Sequence, residues 1–144
     1  MSVVEVVRFF VPGTPVPQGS KKAYVVGKRA VLVDDNAAAL KPWRAAIKAA
    51  AIEAWAGQPA MRDEALVVTA DFRLLRPKTV RRARPHVKPD VDKYLRAVMD
   101  ALTDAAVWGD DGQVVKAVPE KNYADEAGVL IRVGRYINEK GTTR

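Results

Sequence analysis

The chain has 144 residues, the size of one ordinary domain, and 49% of them are hydrophobic, which excludes a disordered chain. Lys and Arg number 24 against 17 Asp and Glu, a net charge of +7, and that excess favours a polyanionic partner, chiefly nucleic acid. No apolar run reaches the ~20 residues that span a membrane, and the absence of cysteine excludes disulfides and thiolate metal ligands.

Residues 3–11 are rich in β-branched and aromatic side chains and read as a first strand. Glu5 and Arg8 lie within it and no small-residue cleavage site follows, so it is not a signal peptide, and a cytoplasmic protein is expected. The stretch PGTPVPQGSKK comes next, and its prolines and glycines predict an extended loop. Residues 24–26 and 30–33, on either side of Gly27-Lys28-Arg29, predict a short hairpin. Asn36 is a candidate N-cap for a helix that runs to about Trp55 and stops at Gly57. Leu40, Trp43, Ile47, Ala51 and Trp55 share one face at helical spacing, so both tryptophans read as core. Pro42 has to lie in the first turn of that helix or split off a short turn before it.

Residues 66–75 (LVVTADFRLL) predict a central strand. The run from 76 to 88 then holds Arg76, Lys78, Arg81, Arg82, Arg84 and Lys88 and no acid. With Pro77, Pro85 and Pro89 it reads as an exposed, mobile basic loop over 76–89 that contacts DNA. His86, the chain's one histidine, is a passenger in it, while Lys21, Lys22, Lys28 and Arg29 are further DNA-contact candidates. A second helix is expected over 90–103, a turn over 108–112, strands over 113–119 and 129–136, and a frayed tail over 138–144. Trp108 is expected to pack beneath the turn. These elements predict a single α+β domain over 1–144, with a mixed β-sheet of about five to six strands and two main helices.

The chemistry concentrates between Lys88 and Val114. Val91, Tyr94, Leu95, Val98 and Leu102 give the helix a buried face, and Asp92, Arg96 and Asp100 form a polar stripe. Asp90 sits at the entrance. Two carboxylates two residues apart diverge by roughly 200° inside a helix, so Asp90 and Asp92 converge only if Asp90 lies before or at the cap. Taken singly, Asp90 is an N-cap, Asp92 a first-turn acid and Asp110-Asp111-Gly112 a turn. Together, Asp90, Asp92, Asp100, Asp110 and Asp111 crowd a short segment beside an acid-free basic run, an arrangement that favours a cation. Oxygen-only donors suit Mg²⁺, with Mn²⁺ as a substitute, rather than zinc.

The segment KPDVDKYLRAVMDALTDAAVWGDDGQV closely resembles the RusA family of Holliday junction resolvases. The match lies in Lys88, Pro89, Asp90, Asp92, Asp100-Ala101-Leu102, Asp110-Asp111 and Gln113-Val114, with PGTPVPQGSKK similar to the family's Pro/Gly-rich stretch. The resemblance implies that Asp90, Asp92 and Asp111 are the metal-binding carboxylates, with Arg96 at a functional cationic position and Asp100 and Asp110 supporting them. It also implies a homodimer that cuts four-way DNA junctions with paired symmetric Mg²⁺-dependent nicks, in a bacterial or phage-encoded setting. Two positions depart from the family pattern. Lys93 replaces the usual Asn, and Arg96 replaces the usual Lys, keeping the charge but losing a proton that can be given up.

The competing readings are a catalytically weak junction-binding protein, a nuclease for other branched DNA, and a phosphatase or glycosyltransferase using Asp90-x-Asp92. The last pair usually place such a motif at the end of a hydrophobic strand, whereas here it follows a basic, proline-rich run.

Overall fold

A computed structural model describes residues 2–19, 21–34 and 37–137. The elements in chain order are β1 (Ser2–Pro12), β2 (Lys21–Val26), β3 (Arg29–Asp34), α1 (Ala37–Trp55), β4 (Leu66–Leu74), α2 (Val91–Asp104), β5 (Val114–Tyr123) and β6 (Gly128–Ile137). The class is α+β with two helices. The six strands divide into a four-stranded mixed sheet, ordered β1-β6-β4-β5, and a separate β2-β3 hairpin, so the sheet itself holds four strands rather than five or six. Within it β4 and β5 run parallel and the other neighbours antiparallel.

Alternation along β4 sets the layers. Leu66, Val68, Ala70 and Phe72 are buried, while Val67, Thr69, Asp71 and Arg73 between them are half-buried on the opposite face. The two helices pack against each other, α1 touching β1 and α2 touching β4 and β5. From α2 the residues Tyr94, Ala97, Val98, Ala101 and Leu102 enter the core, and the Tyr94 ring stacks on Phe72 at 5.3 Å. Burial raises the Tyr94 hydroxyl above the ordinary tyrosine range. Truncating Leu102, which is fully buried, to alanine would cost about 2–5 kcal/mol.

Helix α1 runs unbroken through Pro42, which stands one turn inside it; the helix neither begins at the proline nor splits before it. Gly57 follows its end with φ +74, a left-handed conformation suited to a helix stop. The hairpin turns on Gly27-Lys28, one residue tighter than expected, with Gly27 at φ +62. Strand β5 continues past Pro119 to Tyr123. It is an edge strand, where a residue without an N–H is tolerated. Asn36 and the tail over 138–144 lie outside the described residues. No helix among the described residues is long and apolar enough to cross a membrane.

The parallel β4–β5 pair fixes the site's layout. The chain leaves the C-terminal end of β4, crosses through α2, and returns at the start of β5. One end of α2 therefore sits at the C-terminal edge of the pair and the other at its N-terminal edge.

Candidate active site

At the entrance to α2, Asp90 is the N-cap, with extended backbone (φ −67, ψ 143), and its side chain makes no capping hydrogen bond. The condition for Asp90 and Asp92 to converge is met, and the carboxylate of Asp90 is not used by the helix it caps. Both aspartates are exposed. The incoming chain is held by β5, where the Lys121 ammonium donates to the Val87 carbonyl (2.6 Å) and to the Pro89 carbonyl (2.8 Å).

Further along the helix, the Pro/Gly-rich loop after β1 crosses the polar stripe. The Gln18 N–H donates to the Lys93 carbonyl at 2.9 Å, and the Gln18 amide donates to Asp100 Oδ2 at 2.5 Å. Arg44 of α1 reaches Asp104 at 3.3 Å and Asp100 at 4.0 Å. Asp100 thus joins the loop to both helices. Arg96 is exposed one turn beyond Asp92 and lies against Gly19. A Cβ at Gly19 would stand 3.1 Å from Arg96 Nη1, and Gly19 has φ +118, so the close approach needs glycine there.

At the other end of α2, Asp111 opens a single 3₁₀ turn, Asp111–Gln113. Asp110 caps it in a reciprocal box. Its Oδ1 accepts from the Gly112 N–H (3.0 Å), and Gln113 Oε1 accepts from the N–H groups of Gly109 (2.9 Å) and Asp110 (3.1 Å). The Asp111 carboxylate is half-buried. Its Oδ1 accepts from Trp108 Nε1 at 3.1 Å and from the Thr103 hydroxyl, which in turn accepts from Trp108 Nε1 at 2.7 Å. A hydroxyl has one proton to give and two lone pairs to offer. The Thr103 hydroxyl accepts from the indole, and its one proton faces both the Asp111 carboxylate and the Met99 carbonyl at 3.1 Å, of which the charged carboxylate is the stronger acceptor.

That hydrogen bond fixes where Asp111 stands relative to the other acids. Thr103 lies eleven residues past Asp92, about 16 Å along the axis and on nearly the same face. Asp90 and Asp92 mark one end of α2 and Asp111 the other, with Arg96 and Asp100 between them. Among the described residues no three acidic or histidine side chains are gathered closely enough to hold a metal ion. The donor chemistry suits a hard divalent cation, but a single chain divides the donors between two stations.

The basic run has no helix or strand, as its prolines predict, but parts of it are docked. Arg84 donates to Asn122 Oδ1 at 3.0 Å, Arg76 stacks on the Tyr123 ring at 5.2 Å, and Arg82 is half-buried with its Nε unpartnered. Lys78, Arg81 and Lys88 are exposed, without ion pairs among the described residues. His86 is exposed and its ring touches the Arg84 carbonyl at 3.0 Å. The side chains of Lys21 and Lys22 lie outside those described. Trp43, Trp55 and Trp108 are all buried.

Sequence reasoning missed Gln18, Thr103 and Lys121 as site-builders and the indole of Trp108 as a donor to Asp111. The Asp110-x-x-Gln113 spacing of a capping box is the one legible signal among these features. The others are contacts between residues distant in sequence or side chains that read as ordinary helix filler.

Residues 12–134 match the family described as "Endodeoxyribonuclease RusA". The chain is also similar to the "Uncharacterized protein YqaN" of Bacillus subtilis (strain 168), 42% identical over 50 residues, which are 35% of this chain and 34% of that protein. The match thus spans only about a third of that curated relative. The family match covers most of the chain and both ends of the α2 segment, so this protein belongs to the RusA endodeoxyribonuclease family.

Proposed function

We propose that the protein is a Mg²⁺-dependent, structure-specific endonuclease that resolves four-way DNA junctions as a homodimer in the cytoplasm. The observation that carries this reading is the pair of exposed carboxylates, Asp90 and Asp92, without partners among the described residues at the helix entrance beside the basic loop in a member of this family. The division of the acids along α2 favours a shared site, in which Asp90 and Asp92 of one protomer meet Asp111 of the partner subunit. Mg²⁺ (or Mn²⁺), when bound, supplies Lewis-acid activation of water and neutralises charge on the attacked phosphate.

The chain's own residues have distinct tasks. Asp90, Asp92 and Asp111 hold the cation, and Thr103 and Trp108 orient Asp111. Arg96, one turn from Asp92, offers its guanidinium to the phosphate as a fixed charge. Asp100 keeps the Gln18 loop on the helix, and the cations of the basic loop hold the DNA arms near the Asp90 end. A nuclease for other branched DNA and a catalytically weak junction binder remain the rival outcomes, the latter favoured by arginine at position 96.

Mixing inactive variants tests the reading. Asp92→Asn and Asp111→Asn should each bind a labelled junction and fail to cut it with Mg²⁺. A re-equilibrated mixture should regain nicking of one strand, because one of the two shared sites in each mixed dimer then carries only native aspartates. No regain in the mixture would place all three acids in one chain, and cutting by either variant alone would remove that residue from the site.

A further inference from the structure

The two ends of α2 meet DNA under different electrostatic conditions. The Asp90 end is served by the basic loop, whose last residues are tied to β5 through Lys121. The Asp111 end has none of that loop beside it, and Asp63, Glu64, Asp104 and Asp110 lie on the segments that build it. Arg44 of helix α1 is committed to Asp104 and Asp100. A DNA strand that reaches Asp111 there needs a cation to offset those charges.

Arg62 lies in position to supply it. It stands in the connection between α1 and β4, and its guanidinium rests on the turn that carries Asp111, so that a Cβ at Gly109 would stand 3.4 Å from Arg62 Nη1. Gly109, Asp110, Gly112 and Gln113 line an open hollow of about 490 Å³ together with Arg62. The neighbouring acids do not pair with it. Glu64 Oε1 accepts from the backbone N–H groups of Arg62 (3.1 Å) and Asp63 (3.0 Å), and Asp110 Oδ1 accepts from Gly112. The backbone N–H groups of Gly109, Asp110 and Gly112 are likewise used within the turn. Among the described residues the Arg62 side chain has no hydrogen bond or ion pair, so the five donors of this exposed lining residue are unused.

We infer that Arg62 is a DNA-backbone contact that seats a phosphate on the turn that carries Asp111, through the bidentate geometry a guanidinium gives a phosphate. The inference rests on the nuclease reading only for the role of Asp111. Gly109 allows the approach, and the capping box of Asp110 and Gln113 keeps the turn rigid beneath it.

Junction binding without divalent metal, followed by fluorescence anisotropy across a salt series, tests this contact apart from catalysis. Arg62→Ala should lower the slope of log affinity against log salt by roughly 0.9 for the one phosphate lost, with a several-fold weaker affinity at physiological salt. Arg62→Lys should recover most of the slope, because charge sets it, and only part of the affinity, because the bidentate fork is gone. The melting temperature should stay unchanged in both, since the side chain is exposed. If Arg62→Ala melts early, Arg62→Gln, which keeps the packing stem, decides in its place. A native salt slope in the alanine or glutamine variant overturns the assignment. The native protein incubated with the junction and Mg²⁺ alongside separates the two ideas, since failure to cut defeats the nuclease reading while leaving the Arg62 slope to stand or fall alone.

Discussion

Replacing Thr103 with valine removes one hydroxyl and keeps the branched shape of the side chain. Helix propensity is nearly the same for the two residues, so α2 itself loses little. The Trp108 indole loses its closer acceptor, at 2.7 Å, and retains Asp111 Oδ1 at 3.1 Å. The Asp111 carboxylate loses a charge-assisted donor and keeps the indole. A hydrogen bond to a charged group contributes about 1.5–3 kcal/mol, and partial exposure of Asp111 lets water replace some of it, leaving roughly 1–2 kcal/mol. For a chain of this size that corresponds to about 3–6 °C in melting temperature, read at a fixed protein concentration. The functional effect should be larger than the stability effect. Loss of a group that orients a metal-binding carboxylate typically lowers metal affinity or activity by about 10–100-fold. A Mg²⁺ titration of junction cleavage should therefore need more metal in Thr103→Val and recover in Thr103→Ser, which restores the hydroxyl. Native metal dependence in Thr103→Val would refute the idea that this hydroxyl positions Asp111.

Two further outcomes follow from the same site. Changing Lys78, Arg81 and Lys88 together to alanine should flatten the salt dependence of junction binding by roughly 2–3 units while leaving stability intact, because these exposed cations have no ion pairs among the described residues, and an unchanged slope would mark the loop as solvated only. Arg96→Lys should cleave within a few-fold of the native rate if the position supplies charge alone, whereas an acceleration of about ten-fold or more would assign it a proton-donor role; Arg96→Ala should lose activity without moving the melting temperature.

The helix α2 and the Asp90 cap were legible because both are local. Five apolar positions at helical spacing and a proline before the first aspartate specify the face and the start without reference to any other part of the chain. The strands were legible for the same reason, but their partners were not. The alternating residues of β2 and β3 read like those of any sheet strand, and nothing in them says that they pair only with each other. Pro119 suggested a strand end because the sequence does not reveal that β5 is an edge. The acidic residues of the candidate site stand out in the sequence as a group, but their layout does not. Asp92 and Asp111 are close in sequence, yet a straight helix carries the chain about 16 Å between their stations before the 3₁₀ turn. The hydrogen bond from Thr103 to Asp111 that reveals this joins two elements whose meeting depends on where β5 begins.

Helix α2 also works as a spacer of fixed pitch. Its exposed stripe keeps Asp92, Arg96, Asp100 and Thr103 on one side only while the count of residues between them is held, since deleting one residue turns everything beyond it by about 100° and shortens the span by about 1.5 Å. Such a deletion would swing Thr103 away from Asp111 and carry Trp108 out of its seat, whatever residues remained. The basic stretch before it has no such periodicity to keep, and a residue added near Lys78, between the docked Arg76 and Arg84, turns no helix face. Variation among proteins built this way should therefore appear as substitutions within the helix and as changes of length before it.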